Sequence, residues 1–322
     1  MTISPRDVHP SADEAAFTEQ LQRHRRELHV HCYRMLGSFD DCEDLVQETF
    51  LRAWNGRATF AGRSSLRAWL YKIATNACLD ALDKRPRLAI GGEITWLQPY
   101  PDALLDELIG AEEGPDEAVV EKETIELAYL TAIQHLAPLP RAVLILRDVL
   151  GCSAKETADL LETTVASANS ALQRARAGMR EHLPEQRLEW APGADPTVAE
   201  RELLDRYVTC SERADVHGLA SILHDDVRFA MPPQPEVWHG RDGVVQCWVD
   251  GGFGSEAFGS LRHVITRANR QPAVACYVRR PGDDGYAPMA IDVLRFRDGA
   301  VADIVVFGPE VFGAFGLPRE IR

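Results

Sequence analysis

The run Asp41-Cys42-Glu43-Asp44-Leu45-Val46-Gln47-Glu48-Thr49-Phe50-Leu51-Arg52-Ala53-Trp54 decides how the first third of the chain folds. Val46, Phe50, Ala53 and Trp54 recur at the i, i+4, i+7, i+8 spacing of one helical face, which predicts an amphipathic helix over 43–54. Asp44, Gln47, Glu48 and Arg52 then lie on the other face, free to meet a partner. Downstream, Leu66, Leu70, Ile73, Ala77 and Ala81 make a second stripe through 66–82. Around that stripe sit Arg63, Arg67, Lys72, Lys84, Arg85 and Arg87, interleaved with Trp69, Tyr71 and Asn76 and opposed by Asp80 and Asp83. Cations beside aromatics and amides suit a melted nucleic-acid strand, where they neutralise phosphate, stack on bases and read edges. The same pattern also fits an amphipathic helix with its aromatics in the core and its arginines in water.

Further along, residues 139–186 read as helix, short turn, helix. Ser153 followed by Glu156 is a capping box at the start of one helix, and after Glu162-Thr163-Thr164 a longer helix opens near Ala166 and runs past Arg180. This is helix-turn-helix spacing, with a plain helical hairpin as the alternative. In the first reading Ser167, Asn169, Ser170 and Gln173 face base edges, while Arg174, Arg176 and Arg180 reach phosphates.

The chain has 322 residues, enough for two or three domains, and a formal charge of −14. Segment 91–130 holds 11 acids and one base, and so supplies −10 of that charge; the segments before and after it are close to neutral. An acidic total therefore does not exclude nucleic-acid binding. Gly91-Gly92, Pro99, Pro101 and Gly114-Pro115 mark the acidic stretch as a linker, whose Trp96-Leu97-Gln98-Pro99-Tyr100-Pro101 is suited to docking on a neighbour. A second break falls at Ala191-Pro192-Gly193-Ala194-Asp195-Pro196. No apolar run approaches a membrane span, the N-terminus is polar, and the seven cysteines form no CxxC, so a cytoplasmic chain with reduced thiols and no membrane contact is expected.

Beyond residue 197 the pattern changes. Helices at 198–213 and 215–223 precede a strand through Val227–Met231, then Trp238-His239-Gly240 and a helix to Trp248. Four alternating apolar segments follow at 261–268, 273–280, 287–296 and 300–307, the last two joined by an Arg297-Asp298-Gly299 hairpin.

Together these residues carry a family resemblance. Cys32-Tyr33-Arg34-Met35-Leu36-Gly37-Ser38, the run from Asp41 to Trp54, and Trp69-Leu70-Tyr71-Lys72-Ile73-Ala74-Thr75-Asn76 with Leu79-Asp80 resemble the second conserved region of extracytoplasmic-function (ECF) sigma factors, of the sigma-70 family. Leu139-Pro140-Arg141-Ala142-Val143-Leu144 through Leu172-Gln173-Arg174-Ala175-Arg176 resembles their fourth region. Val237–Gly243 and the closing Phe312–Pro318 look like the C-terminal extension of one ECF subgroup, a SnoaL-like domain of the NTF2-like cone fold. The resemblance implies a multidomain chain: two all-α sigma domains, the second a helix-turn-helix, joined by an acidic linker, then an α+β cone. The expected boundaries are an N-terminal tail 1–20, region 2 at 21–88, linker 89–128, region 4 at 129–186, linker 187–196 and cone 197–322.

It also implies roles. Asp44, Gln47, Glu48 and Arg52 would dock on the clamp helices of the largest subunit of core RNA polymerase, and region 4 on the flap of the second-largest. Phe60, Arg63, Ser64, Ser65, Arg67, Trp69, Tyr71, Lys72, Asn76, Lys84 and Arg85 would hold melted minus-10 promoter DNA, the 60–65 loop taking a flipped base. Ser167, Asn169, Ser170, Gln173, Arg174 and Arg176 would read minus-35 DNA. Two departures weaken the second of these: Glu162 stands where the family commonly has Gly, and Asn169 and Ala171 where it often has cations.

A cone encloses a pocket, so a ligand-binding or enzymatic cone tethered to a DNA-binding module is the alternative function, and a DNA-binding regulator that never meets polymerase is a third. Among His217, Asp225, Asp226, His239, His263, Tyr277 and Asp292, the candidate pocket residues are His239, His263, Tyr277 and Asp292, for an unknown small ligand. His24, His29, His31 and Cys32 do not form a metal set, since only His24 and His31 share a helical face. No cofactor and no catalysis are expected; the cone would act in cis by holding the two DNA-reading domains in a fixed geometry.

Overall fold

A computed structural model describes residues 12–60, 65–84, 94–109, 125–183 and 197–322. The chain opens with α1 (Ala12–Arg23), α2 (Arg25–Leu36), α3 (Phe39–Gly56) and α4 (Leu66–Lys84). Helix α3 extends beyond the expected 43–54 because Ser38 caps it, accepting a hydrogen bond from the Asp41 amide, while Gly37 ends α2 in the left-handed conformation (φ +69°). Val46, Thr49 and Ala53 turn α3 inward, and Leu70, Ala74, Ala77 and Cys78 do the same for α4. Helix α2 is buried from Leu28 to Leu36, because helices pack on it from both sides.

One of those sides is the second helical unit: α6 (Leu127–Gln134), α7 (Pro138–Leu144) running into a π turn at Ile145–Val149, α8 (Ala154–Leu160) and α9 (Val165–His182). Arg141, only 3% exposed, fastens it to the first unit. Its guanidinium donates to the carbonyls of Met35, Gln134 and Leu136 and to Gln134 Oε1, while Gln134 Nε2 donates to the Arg34 carbonyl at 3.1 Å. The charge is thus spread over fixed dipoles, which is how an arginine is tolerated in a core.

The stretch 96–101 docks as its composition suggested. Trp96 Nε1 donates to the Leu36 carbonyl (3.0 Å), Gln98 bonds the corner between α2 and α3 through Gly37, Ser38 and Asp40, and Tyr100 is buried against His29 and Tyr33. A helix not foreseen in the linker, α5 (Asp102–Ile109), follows.

The C-terminal part contains α10 (Val198–Glu212), α11 (Val216–Ile222), β1 (Leu223–Ala230), β2 (Val237–His239), α12 (Gly240–Asp250), β3 (Ser260–Ala268), β4 (Gln271–Arg279), β5 (Ala287–Arg297) and β6 (Ala300–Phe307). Strand order is β2-β1-β6-β5-β4-β3, with only the β1–β6 pair parallel. Irregular register at Cys276/Tyr277 and Arg295/Phe296 bends the sheet. Alternation along the strands sends residues to two destinations. Val274, Cys276, Leu294 and Ile304 face the inside of the cone with α10 to α12. Ala273, Ala275, Tyr277, Ile291, Val293, Val305 and Phe307 belong to the same contiguous core as α2, α3, α4, α6 and α7. The closing segment adds Phe312 and Phe315 to that core, with Phe312 edge-on to Tyr277.

The β3–β4 turn is the fastening point. Asn269 and Arg270 both have positive φ (+56° and +60°), the signature of a two-residue type I′ turn. Asn269 is fully buried in the helical body. Its amide group accepts from the Tyr100 N–H (2.8 Å) and donates to Tyr33 Oη (2.9 Å) and the Ile125 carbonyl (2.7 Å), while its backbone N–H donates to Tyr100 O (2.9 Å). Beside it the buried Asp102 accepts from Arg267 Nε (3.0 Å) and the Arg270 N–H (2.8 Å), Arg270 pairs with Asp106, and the Leu127 N–H donates to Gln271 Oε1.

Two outcomes follow. Asn269→Ala orphans two buried groups, the Tyr100 N–H and the Ile125 carbonyl, and takes a donor from the Tyr33 hydroxyl, which keeps its bond to the Gln98 carbonyl; it should lower unfolding stability by about 3 kcal/mol in urea titrations. Asn269→Gly relieves the backbone but not the orphaned groups, so it should remain within about 1 kcal/mol of the alanine variant. The second outcome concerns pH. Burial lowers His31 to about 3, with Arg34 adding to it, and lowers His29 to about 4, where Arg25 adds and Glu43 opposes. The unfolded chain therefore binds more protons than the folded one from about pH 6.5 down to about pH 4. Stability should be flat above about pH 6.5 and fall on acidification by up to about 2.7 kcal/mol per pH unit for the pair. Melting of His31→Gln should show a shallower acid limb.

Candidate functional site

The outer face of α3 presents Asp44 and Gln47 exposed and Glu48 half-buried, with Leu51 64% exposed one turn on. Arg52 is not free: it bonds Glu48 (2.6 Å) and reaches across to Asp80 of α4 (3.2 Å). Between the two helices lies a cleft of about 280 Å³ whose polar rim is Asp41, Asp44, Glu48 and Asp80 against Arg52 and Lys84.

Phe60, just after the 3-10 turn Arg57–Thr59, stacks on Trp69 of α4 at 4.9 Å, and both are half-buried. Ser65 caps the helix by accepting from the Ala68 N–H (3.1 Å). Asn76 is half-buried and Lys84 exposed, whereas Arg63, Ser64 and Arg85 lie outside the described residues. Tyr71 does not stand at the surface as expected for a base-stacking residue. It is 5% exposed, its hydroxyl donates to Glu27, and Arg67 pairs with the same carboxylate (2.7 Å) while covering the Tyr71 ring. Tyr71 is a packing residue because the stripe containing Leu70 and Ala74 is wide enough to include it. Lys72 is also occupied, by Glu162 at 2.9 Å.

Glu162 sits in the turn between α8 and α9 with φ +51°. Glycine would adopt that conformation without strain, so the departure noted in the sequence costs on the order of 1 kcal/mol. Helix α8 starts at the expected capping box, with mutual bonds between Ser153 and Glu156, and those bonds lower the fully exposed Glu156 carboxyl. Thr164 caps α9. Asn169, Ser170, Gln173 and Arg174 are exposed and Ser167 is half-buried. Arg176 is exposed but grips Asp148 of the π turn with two nitrogens (2.9 and 2.7 Å).

The cone encloses a cavity of about 490 Å³. Leu219, Phe229, Met231, Trp248, Phe253, Phe258 and Met289 line it, and at its floor Tyr207 and Cys276 flank Asp292. Of the four expected pocket residues, Asp292 lines it. His263 lies behind the wall, bonded to Ser211 Oγ (3.1 Å), with Glu212 at 3.5 Å from its other nitrogen. Burial lowers His263, with Asp292 and Glu212 opposing. Tyr277 and His239 are elsewhere. Tyr277 alternates onto the opposite sheet face, its hydroxyl donating to the Pro318 carbonyl, and His239 is exposed at the start of α12. Tyr207, Trp248, Phe253 and Phe258 were missed because aromatic residues at helical or loop positions are indistinguishable from core in sequence.

Comparison with known proteins fits this geometry. Family models match in the same order along the chain: Sigma-70 region 2 at residues 21–88, Sigma-70 region 4 at 126–179 and a SnoaL-like domain at 204–304. The chain is 37% identical over 328 residues to the ECF RNA polymerase sigma factor SigG of Mycobacterium tuberculosis, covering 95% of this chain and 85% of that protein. It is 28% identical over 288 residues to SigJ of the same species, covering 86% of each. The crystal structure of SigJ matches with a TM-score of 0.59 and 25% identity, over 95% of this chain and 100% of the other. The chain belongs to the ECF RNA polymerase sigma factors: it is a transcription initiation factor whose partners are core RNA polymerase and promoter DNA, and it carries a C-terminal SnoaL-like domain.

The Lys72–Glu162 pair generates a measurable expectation. Glu162→Gln frees one cation on α4 without altering the fold. The salt dependence of binding to a single-stranded oligonucleotide, plotted as log K against log salt, should steepen by about 0.7. An unchanged slope would mean that Lys72 does not meet phosphate.

Proposed function

We propose that this sigma factor is stored closed, with its cone as the fastening. The observation that carries this reading is the single core shared by the two DNA-reading units and one face of the sheet. Minus-10 and minus-35 elements are separated by about 25 base pairs, roughly 85 Å of B-form DNA at 3.4 Å per step. In the closed form Lys72 of α4 and Glu162, just ahead of α9, stand 2.9 Å apart, far short of that distance. The two units must part before both elements are engaged, and parting them requires the 94–106 segment and residue 125 to leave the Asn269 turn.

In this reading Asp44, Gln47, Glu48 and Leu51 dock on the clamp helices of the polymerase's largest subunit, a face left open in the closed form. Arg52 acts by setting the orientation of Glu48. After opening, α4 with Phe60, Arg67, Trp69, Lys72 and Asn76 takes the melted minus-10 strand. Helix α9 reads minus-35 through Ser167, Asn169, Ser170, Gln173 and Arg174, and its unit meets the flap of the second-largest subunit. The chain works in the cytoplasm, where core polymerase is, and the reading requires no catalysis.

The test is promoter-directed transcription with purified core polymerase. Asn269→Ala and Arg270→Glu should raise promoter-specific RNA several-fold at equal core binding. Leu51→Asp with Asp44→Lys should lose core binding about tenfold or more. If both turn variants transcribe like the parent, the cone does not restrain the chain. If they transcribe less, it supports the active form instead.

A further inference from the structure

The cone cavity has the construction of a ligand site. Its volume, about 490 Å³, is in the range of small-molecule sites and more than three times that of an engineered cavity that admits benzene. Its walls are aromatic and aliphatic: Phe229, Trp248, Phe253 and Phe258 from one side, Met231 and Met289 from another. Polar groups gather at one end. There Asp292, 8% exposed, accepts from Tyr207 Oη (2.9 Å) and Cys276 Sγ (3.3 Å), both bonds landing on Oδ2. Among the described residues nothing bonds Oδ1, although it is not an enclosed orphan, so this oxygen is the one left for an occupant. Because both bonds land on Oδ2, a proton on this carboxyl has its place at Oδ1, and burial raises Asp292, with Tyr207, His263 and Cys276 opposing.

The surroundings limit the charge of the occupant. Among the described residues no arginine or lysine lines the cavity, so a carboxylate or phosphate would be desolvated beside Asp292 without a counter-ion. An ammonium group would have to give up its water among aromatic walls for a carboxyl already accepting two bonds. A neutral oxygen function meets neither cost.

We propose that this cavity binds a neutral lipophilic molecule whose buried end carries a single carbonyl or hydroxyl oxygen, received by the Asp292 carboxyl beside Tyr207. The apolar body lies along Trp248 and Phe253, and the exposed Gln234 and Glu310 mark the mouth. This goes beyond the closed-state reading and does not depend on it, because binding is measured without transcription.

The probe is prodan, a neutral solvatochromic naphthyl ketone, titrated into the full chain by fluorescence and calorimetry, with naphthalene acetate and naphthylmethylammonium as charged comparators. Prodan should bind stoichiometrically, at least about tenfold tighter than either comparator, with emission shifted as for a carbonyl accepting a hydrogen bond in a dry site. Asp292→Asn, which keeps a neutral donor and an acceptor for Tyr207, should retain affinity within about threefold, and Asp292→Leu should lose about tenfold. Ala290→Phe, which fills the cavity from β5, should abolish binding while circular dichroism reports a folded chain. Equal or tighter binding of either charged comparator would overturn the proposal. So would unchanged prodan affinity in Asp292→Leu, or in a folded Ala290→Phe.

Discussion

One side-chain amide ties the molecule together. Asn269 sits at the tip of a hairpin from the C-terminal sheet, and its bonds end on α2 through Tyr33, on the linker through Tyr100, and on residue 125 ahead of α6. The first helical unit and both ends of the linker thus meet at one side chain. Because the amide is buried, its bonds act in a medium where an unmade bond costs more than a made one contributes. In the proposed closed form that asymmetry favours a turn that is either seated or unseated, with little in between. Asp102 and Asp106 reinforce it with charge, and burial raises Asp102 while Arg270 and Arg267 hold it down.

The helical half was legible in the sequence because helices announce themselves in two ways: a stripe of period 3.6 and caps at the ends. The capping box of α8 and the exposed face of α3 both came from such signals. Linker docking was legible too, since Trp96 and Tyr100 are expensive residues to leave in water. The fastening was not. Arg267-Ala268-Asn269-Arg270-Gln271 reads as a solvent-facing hairpin, and only the partner surface, which no local pattern describes, buries it. The individual site residues divided along the same line. Position on a face was readable for Asp44, Gln47 and Asn169, but Asp80 on Arg52, Glu162 on Lys72 and Asp148 on Arg176 are long-range partners, and the width of a buried stripe decided the fate of Tyr71.

Glu162 shows how a departure from family pattern acquires meaning from structure. In sequence it looks like a local cost in a turn where glycine would serve. In the fold the left-handed turn aims its carboxylate at Lys72, on the helix proposed to take the melted strand. An exposed ion pair contributes little to stability. In the proposed reading its larger effect is on competition: a carboxylate paired with Lys72 keeps that cation from phosphate until the two helical units part.

The sheet joins the two halves of the molecule through its alternation. On β5, Asp292 and Leu294 face the inside of the cone, while Ile291 and Val293 enter the helical core; on β4, Cys276 and Tyr277 divide in the same way. A strand moves as a unit, and close-packed cores pass between discrete arrangements instead of stretching. The floor of the cavity and the surface pressed against the sigma helices are therefore opposite faces of the same strands, and β4 begins at the Asn269 turn. An occupant that fits the seated and unseated sheets unequally shifts the balance between them by the ratio of its two affinities, and unseating the turn changes the occupant's affinity by the same ratio.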